Sequence, residues 1–350
     1  MPNVSSVDWR ALDDIVAVHG PAPDKDKVTL HSIFKDEIFF CAAFFDHYRK
    51  IGVEQFIIFD DGSTDGTREF LSAQDDCVVL TSQFSFEDIV CWEAQPNFWI
   101  ETRFKIFLLS AIPRFFLGEA YSLHVDADEF LLLPPGLPSV GHLMVDLSES
   151  GVNALLASLV DFYPAKYADL RNKRDFSVAS AMFAAHPFFD ARPIVDVTAT
   201  GVPRPLRASK MRNEIVKAGL SLERGVYKRF LERWRRAARP NQLSYKTPIL
   251  RHGESVYYKN AHATNVPAPR NRLLAVVHFV FTYNSLGKAR RIVRARRRKG
   301  RANRYQKVAD TLMSGVNKEK DLVSSCSTKF ESARQLQELG VMRWPSGSKA

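Results

Sequence analysis

The residues best suited to chemistry are two aspartates that follow an apolar run in the segment HVDADEFLLLP. Asp126 and Asp128 are two positions apart, and side chains at that spacing in an extended chain point to the same face. Paired carboxylates favour Mg²⁺ or Mn²⁺, which take substrate phosphates as further ligands. The segment therefore predicts a divalent-cation site that a diphosphate-bearing substrate completes. An exposed turn is the alternative for this motif taken alone.

A second acidic cluster lies in FIIFDDGSTDGT, again where an apolar run ends. Asp60 and Asp61 close that run. Ser63 and Thr64 turn the chain, and Asp65 can cap the helix that follows. Carboxylates in this position are suited to bind a base or a ribose. A well-capped turn is the alternative.

A third polar cluster, FKDE, follows the first apolar strand at residues 34–37. Lys35 is suited to contact a phosphate, and Asp36 or Glu37 a nucleoside hydroxyl. Capping of the next helix explains the same residues equally well.

The three clusters lie within a regular alternation of apolar runs and helical spacing. Strands are predicted at 28–34, 53–59, 77–80, 121–133, 154–160 and 273–281, and helices at 38–50, 68–73 and 99–112. This order predicts an α/β fold, with a mostly parallel sheet flanked by helices and joined by right-handed crossovers. Ligands of such sheets bind at the carboxyl ends of the strands, where both acidic clusters lie.

The motifs carry a resemblance to a known family. The stretch KDEIFFCAAFFDHYRKIGVEQFIIFDDGSTDGT, followed by HVDADEFLLLP, resembles the glycosyltransferase family 2-like group, close to its subgroup 4 type. Further similar segments are SLVDFYP, HPFFD, GVYKRFL, YKTPILR and AVVHFVF, so that the resemblance spans residues 28–310. It implies a GT-A (Rossmann-like) fold, a nucleotide-sugar donor and a divalent metal, Mn or Mg. The implied activity is transfer of a sugar to a hydroxyl of a saccharide, lipid-linked or other acceptor, as in polysaccharide biosynthesis.

The resemblance also implies roles for individual residues. Asp60 or Asp61 would contact the nucleoside, Asp126 the ribose or the metal, and Asp128 the metal itself. The residues implied to line the nucleotide pocket are Lys35, Asp36, Glu37, Asp60, Asp61, Ser63, Asp65 and Asp126.

The remaining candidates come from the later part of the chain. Enzymes with a GT-A fold often use a C-terminal histidine at the metal or diphosphate, and His278 or His262 is suited to that role, with a core histidine as the alternative. Direct displacement at the sugar needs a general base. The candidates for the base are Asp190, which lies well past the metal motif, and Asp161; a structural role is the alternative for each.

Charge is divided unequally along the chain. Residues 1–200 carry 15 basic and 30 acidic residues, whereas residues 201–350 carry 34 basic and 9 acidic ones. The segment 288–307 alone holds 11 positive charges and no acid. The expected organisation is an N-terminal extension at 1–27, a catalytic domain at 28–285 with an Arg-rich acceptor-side insertion at 165–250, and a basic helical C-terminal region at 286–350.

Two other functions fit parts of the sequence. A phosphatase of the haloacid dehalogenase type also begins with an apolar strand and a DxD motif, but that family has Thr or Val two places after the second Asp, where this chain has Phe130. A non-catalytic binder would use the basic segment against nucleic acid or anionic lipid headgroups. With Tyr305 as its one aromatic residue and no recognised reading module, this segment lacks support for sequence-specific nucleic-acid recognition. Packing of the segment on the domain is the alternative to lipid contact.

Composition excludes several classes. With 45% hydrophobic and 25% charged residues, the chain has the composition of a soluble globular protein. It has no run of about 20 apolar residues and no basic, apolar secretory leader, so we expect a cytoplasmic protein, with peripheral contact at the inner membrane face left open. The four cysteines form no CxxC pair and are predicted to be structural thiols.

Overall fold

The computed structural model describes residues 4–171, 175–207, 244–279, 281–284 and 320–345. The basic segment 288–307 lies outside these described residues, as do residues 172–174 and 208–243 of the predicted Arg-rich insertion. Within them, the strands are β1 Ser5–Ser6, β2 Ala17–His19, β3 Thr29–Phe34, β4 Gln55–Asp60, β5 Cys77–Thr81, β6 Ile89–Gln95, β7 Phe98–Arg103, β8 Tyr121–His124, β9 Glu129–Leu132, β10 Ala154–Asp161, β11 Phe188–Asp190, β12 Val195–Val197, β13 Pro203–Pro205, β14 Tyr245–Arg251, β15 Tyr258–Asn260, β16 Ala263–Thr264, β17 Leu274–His278 and β18 Ser327–Lys329. The α-helices are α1 Ile38–Lys50, α2 Thr67–Ser72, α3 Phe104–Leu117, α4 Val140–Glu149, α5 Ala179–Ala185 and α6 Ala333–Glu338. None of these helices combines the length and hydrophobicity that a membrane span requires.

The centre of the fold is a sheet of nine strands in the order β2-β5-β4-β3-β8-β14-β10-β17-β9. Parallel neighbours are β5-β4, β4-β3, β3-β8 and β10-β17. Antiparallel neighbours are β2-β5, β8-β14, β14-β10 and β17-β9. The α/β class is therefore confirmed, but the sheet is mixed, and the prediction of a mostly parallel sheet is not confirmed.

Strand direction nevertheless defines one special edge of the sheet. When the pair orientations are followed along the strand order, β3, β4, β5, β8, β10 and β17 all point the same way, while β2, β14 and β9 run against them. The carboxyl ends of six strands therefore lie along one edge, together with the start of β14.

Both faces of the sheet are covered by apolar packing. On β4, Phe56 and Ile58 belong to a core cluster that includes α1, whereas Ile57 and Phe59 belong to a second cluster that includes α3. Alternate side chains thus point into different layers. Burial on both faces explains why the strand reads as the continuous apolar run FIIF rather than as an alternating pattern.

Two predicted elements differ from the observed ones. The helix predicted at 99–112 begins only at Phe104, because Phe98–Arg103 forms β7 and pairs antiparallel with β6. The single strand predicted at 121–133 is also wrong, since β8 and β9 lie in different parts of the sheet.

Candidate functional site

The residues predicted to be functional leave the sheet along its special edge. β3 pairs in parallel with β4, so that Phe34 lies beside Asp60, and β3 also pairs in parallel with β8, which precedes the DADE segment. On the far side of β14, Asp161 at the end of β10 lies beside His278 at the end of β17. The FKDE, DDGSTDGT and DADE segments therefore start from the same edge, as the sequence predicts.

Asp126 and Asp128 lie in a tight turn rather than in an extended strand. The Glu129 N–H donates to the Asp126 carbonyl at 3.0 Å, and the Asp126 N–H donates to Glu129 Oε2 at 2.8 Å. The turn, not strand alternation, therefore positions the two aspartates, which corrects the sequence argument. Their side chains are 46% and 28% exposed, respectively, so both carboxylates reach the surface.

His278 connects two of the predicted carboxylates. Its Nε2 atom lies 3.4 Å from Asp128 Oδ2, and its Nδ1 atom lies 2.8 Å from Asp161 Oδ1. The Asp161 side chain is fully buried, whereas His278 is 13% exposed. A carboxylate that accepts from Nδ1 fixes the orientation of the ring and leaves Nε2 directed at Asp128. This position suits Asp161 to orient His278 better than to act as a general base.

The pair of Asp128 and His278 fits part of a divalent-cation site. A separation of 3.4 Å is compatible with two bonds of about 2.1 Å each to one ion. Within the described residues, no group of three or more His, Cys, Asp or Glu side chains is arranged to hold a metal. The chain thus offers one oxygen and one nitrogen donor here, and the remaining ligands would be water and substrate phosphate.

Asp126 has a different partner, the fully buried Lys246 at the start of β14. Lys246 Nζ lies 3.2 Å from Asp126 Oδ2 and 2.5 Å from Glu129 Oε2. Burial alone would lower the pKa of Lys246, but the two carboxylates raise it above its usual value. For Asp126, burial acts to raise the pKa, and Lys246 is the main group that lowers it well below the usual range. These charges keep Asp126 ionised, as a ligand-binding carboxylate must be.

Lys35 and Asp61 form the corresponding contact at the ends of β3 and β4. Lys35 Nζ donates to the Asp61 carbonyl at 2.8 Å and lies 2.7 Å from Asp61 Oδ2. Asp61 Oδ1 accepts from the Phe86 N–H at 3.0 Å. Asp60 and Asp61 are only 2% and 8% exposed, whereas the Lys35 side chain is 46% exposed. The side chain of the lysine, rather than those of the two aspartates, is therefore the exposed one at this position.

The FKDE and DDGSTDGT loops are interlocked by hydrogen bonds. The Asp36 N–H donates to Ser63 Oγ at 2.9 Å, and Asp36 Oδ1 accepts from the Thr64 N–H at 2.8 Å. Asp36 has a φ of 54°, a left-handed conformation that Asp adopts more readily than most residues. These contacts hold the two loops against each other.

Hydrogen bonds at the starts of α1 and α2 occupy Asp65 and the backbone of Glu37. Asp65 Oδ1 accepts from the Thr67 N–H at 3.0 Å, and its Oδ2 accepts from the Ile38 N–H at 3.3 Å. The N-cap position of α2 is held by Gly66, so Asp65 binds the first N–H of this helix from one residue before the cap. The Glu37 N–H donates to Thr67 Oγ1 at 2.8 Å. Direct nucleotide contacts of Asp65 and Glu37 remain predictions beside this structural role.

Asp190 and His262 have other hydrogen-bond partners, although His262 is near enough to Asp126 to help lower the pKa of that carboxylate. Tyr163 Oη donates to Asp190 Oδ1 at 2.7 Å, which joins Asp190 to the segment just after β10. His262 Nδ1 lies 3.0 Å from the Tyr245 carbonyl, next to Lys246. Of the two candidate histidines, His278 is the one whose ring faces Asp128.

Sequence reasoning did not single out Lys246 or Glu129. A signal was present, because Lys246 stands near the start of the segment YKTPILR, which contains the apolar run PIL, and a charge in a buried strand requires a charged partner. Sequence reasoning also did not predict a buried polar network within the sheet. In this network, Ser122 Oγ lies 3.1 Å from His31 Nδ1 and 2.7 Å from His252 Nε2.

Comparison with known proteins adds no further assignment. The chain matches no family model, and no curated protein is significantly similar to it. The resemblance to glycosyltransferases therefore depends on the motifs and on the positions of their residues.

Proposed function

We propose that this protein is a metal-dependent glycosyltransferase with a GT-A fold, which moves a sugar from a nucleotide-sugar donor to an acceptor hydroxyl. One observation carries the proposal: Asp128, His278 and Asp161 form a connected chain of side chains at the edge where Lys35 and Asp126 also emerge. A cation-binding pair and a lysine suited to phosphate, placed along the same edge of the sheet, match the charge of a departing nucleoside diphosphate.

The strand order supports a nucleotide site between β3 and β8. In chain order, β3, β4, β5 and β8 are the first four co-directional strands, and they lie as β5-β4-β3-β8. This is the 3-2-1-4 arrangement of doubly wound nucleotide-binding sheets, whose ligands occupy the crevice where the strand order reverses. In this chain, that crevice lies between the FKDE segment after β3 and the DADE segment after β8.

The chemistry of each side chain suggests its role in that crevice. We assign Lys35 to the diphosphate and Asp126 to the ribose hydroxyls, and Asp128 with His278 to the cation. The cation, when bound, would supply positive charge to the leaving diphosphate. Asp61 holds the Lys35 amino group in place, and Asp161 orients His278.

Transfer also requires a base that takes the proton of the acceptor hydroxyl as it attacks the anomeric carbon. Asp190 suits this role better than Asp161, because Asp161 is fully buried against His278, whereas Asp190 is only partly buried and accepts a hydrogen bond from Tyr163. We extend the proposal to a saccharide or lipid-linked acceptor that is met in the cytoplasm.

A thermal-shift panel tests this function. UDP, GDP, CMP and TDP sugars are added with and without manganese, and at least one of them should raise the melting temperature more when manganese is present, because a ligand that binds the folded state stabilises it. Asp128→Asn should remove the manganese-dependent part of that shift. The proposal is contradicted if none of the nucleotide sugars changes the melting temperature under either condition. It is also contradicted if the protein hydrolyses p-nitrophenyl phosphate in a reaction that depends on Asp126, a result that would favour the phosphatase.

A further inference from the structure

Lys246 is a buried lysine that contacts two carboxylates of the DADE turn. It is 0% exposed, and its Nζ atom lies 2.5 Å from Glu129 Oε2 and 3.2 Å from Asp126 Oδ2. It enters the site from β14, which runs against its two neighbours and therefore begins at the edge where they end. The contact thus joins residues that are far apart in the sequence.

A buried ammonium group is costly unless its charge is compensated. Glu129, whose side chain is 2% exposed, supplies one compensating charge inside the protein. Asp126 supplies the second, but its side chain is 46% exposed. The network therefore has a closed end at Glu129 and a solvent-exposed end at Asp126, which follows β8 at the proposed nucleotide crevice.

The same network also fixes the backbone of the turn. Glu129 Oε2 accepts from the Asp126 N–H at 2.8 Å, so Glu129 holds both the main chain of Asp126 and the lysine that contacts its carboxylate. Asp128 Oδ2, two residues further on, lies 3.4 Å from His278 Nε2. The two aspartates of the motif therefore have different ion-pair partners, Lys246 for Asp126 and His278 for Asp128.

We propose that Lys246 is a positioning residue, which holds the Asp126 carboxylate in place for the donor nucleotide and leaves cation binding to Asp128 and His278. This inference rests on the proposed function and deepens it. Loss of Lys246 should weaken nucleotide binding much more than it changes the manganese requirement, and loss of Asp128 should do the opposite. A lysine that merely neutralised Glu129 would affect the stability of the fold without this division.

The experiment measures two quantities on wild-type protein, Lys246→Met, Lys246→Arg and Asp128→Asn. Isothermal titration at saturating manganese gives the Kd of UDP, GDP, TDP and CMP, and titration with manganese chloride at saturating nucleotide gives the half-saturating manganese concentration. Lys246→Met should raise the nucleotide Kd by about 10–100-fold, as is typical when a supporting partner of a binding group is lost, and should change the half-saturating manganese concentration by less than about threefold. Lys246→Arg should recover part of the affinity, because it keeps the charge.

Arg272 offers a matched control. It forms a largely buried ion pair with Asp146 at 2.8 Å, just before β17 and hence about 20 Å along the strand direction from His278. Arg272→Met should lower the melting temperature and leave the nucleotide Kd and the manganese requirement unchanged.

Each outcome bears on the inference. If folded Lys246→Met binds the nucleotides like the wild type, or if both measured quantities change equally, the positioning role is wrong while the proposed function stands. If the wild type binds none of the four nucleotides, the proposed function fails, and the inference fails with it. If Lys246→Met does not fold, Glu129→Gln provides the test, because it preserves the shape of the side chain but weakens both contacts of Glu129. A higher nucleotide Kd at an unchanged manganese requirement supports the positioning role. An unchanged nucleotide Kd refutes it.

Discussion

His278 Nδ1 lies 2.8 Å from Oδ1 of the fully buried Asp161. The contact follows directly from strand register, because the two residues are paired neighbours at the ends of the parallel strands β10 and β17. A buried carboxylate behind an imidazole raises the basicity of the ring and fixes its orientation. The ring therefore presents Nε2 to Asp128 without the cost of ordering a free side chain.

Asp161→Asn should weaken cation binding while the fold persists. The amide can still accept from Nδ1, but it no longer carries the charge that makes the ring a good ligand, so we expect the half-saturating manganese concentration to rise by about 10–100-fold. Nucleotide-dependent thermal shifts recorded over a manganese series measure this change. An unaltered manganese requirement would show that Asp161 does not support a cation site.

Asp190→Asn should act on turnover instead. If Asp190 takes the acceptor proton, its loss should lower kcat by about 10²–10⁴-fold, with donor affinity and manganese requirement unchanged. Tyr163→Phe is the matched control, because it removes the hydrogen bond to Asp190 but keeps the carboxylate. Equal losses of kcat in both variants would indicate a structural role for the pair, and an active Asp190→Asn enzyme would exclude Asp190 as the base.

Much of the fold could be predicted because the relevant pattern is local. The apolar run before Asp60 forms β4 since both of its faces are buried, and Asp65 accepts a hydrogen bond from the first N–H of α2 although Gly66 holds the cap position itself. Strand direction could not be predicted in the same way. Most residues of β9 and β14 are buried like those of their neighbours, and nothing in a hydrophobic pattern tells which way a buried strand runs. The predicted strand at 121–133 failed for a related reason. The apolar residues on both sides of the DADE turn are buried, so the pattern does not show that β8 and β9 lie in different parts of the sheet.

In the candidate site, too, the residues could be predicted from local sequence, but the contacts between them could not. Asp128, His278 and Asp161 could each be proposed from the motif that contains it, but their mutual contacts depend on the register of strands that lie far apart in the sequence. Lys246 was missed because its meaning depends entirely on distant partners, Asp126 and Glu129. A charged residue in a predicted buried strand is the signal that identifies such a partner.

Lys35→Met should reduce affinity for nucleotides with little effect on stability. Its ion pair with Asp61 is partly exposed, and such pairs contribute at most about 1 kcal/mol to folding. A charged contact to phosphate contributes about 1.5–3 kcal/mol, so the Kd of a nucleoside diphosphate should rise by roughly 10–100-fold. Calorimetric titration of UDP and GDP measures the change.

Two comparisons make the Lys35 result specific. Uridine and guanosine lack phosphate, so any affinity for them should be unaffected by Lys35→Met. Lys50→Met removes a comparable surface ion pair, with Asp46 at 2.7 Å, at the far end of α1, and should leave nucleotide affinity unchanged. A parallel loss of nucleoside binding would argue against a phosphate contact.

Buried histidines should make the protein lose stability as the pH falls. Burial lowers the pKa of His31 to about 3 and that of His47 to about 4, whereas the unfolded chain binds these protons near pH 6.5. Below that pH the unfolded state takes up protons that the folded state refuses, so the free energy of unfolding decreases towards acid, by up to about 1.4 kcal/mol per pH unit for each such histidine.

His47→Gln tests this linkage through the change in the free energy of unfolding with pH, rather than through the stability at one pH. The amide can still donate to the Leu131 carbonyl, which His47 Nε2 contacts at 2.7 Å, but it cannot take up a proton in the unfolded state. Urea unfolding at a series of pH values between about 6.5 and 4 should therefore give a shallower decline than in the wild type, by up to about 1.4 kcal/mol per pH unit. If the free energy of unfolding fell equally steeply in the wild type and in His47→Gln, His47 would have to accept its proton as readily in the folded state as in the unfolded chain. That result is incompatible with an imidazole of α1 that is buried against β9.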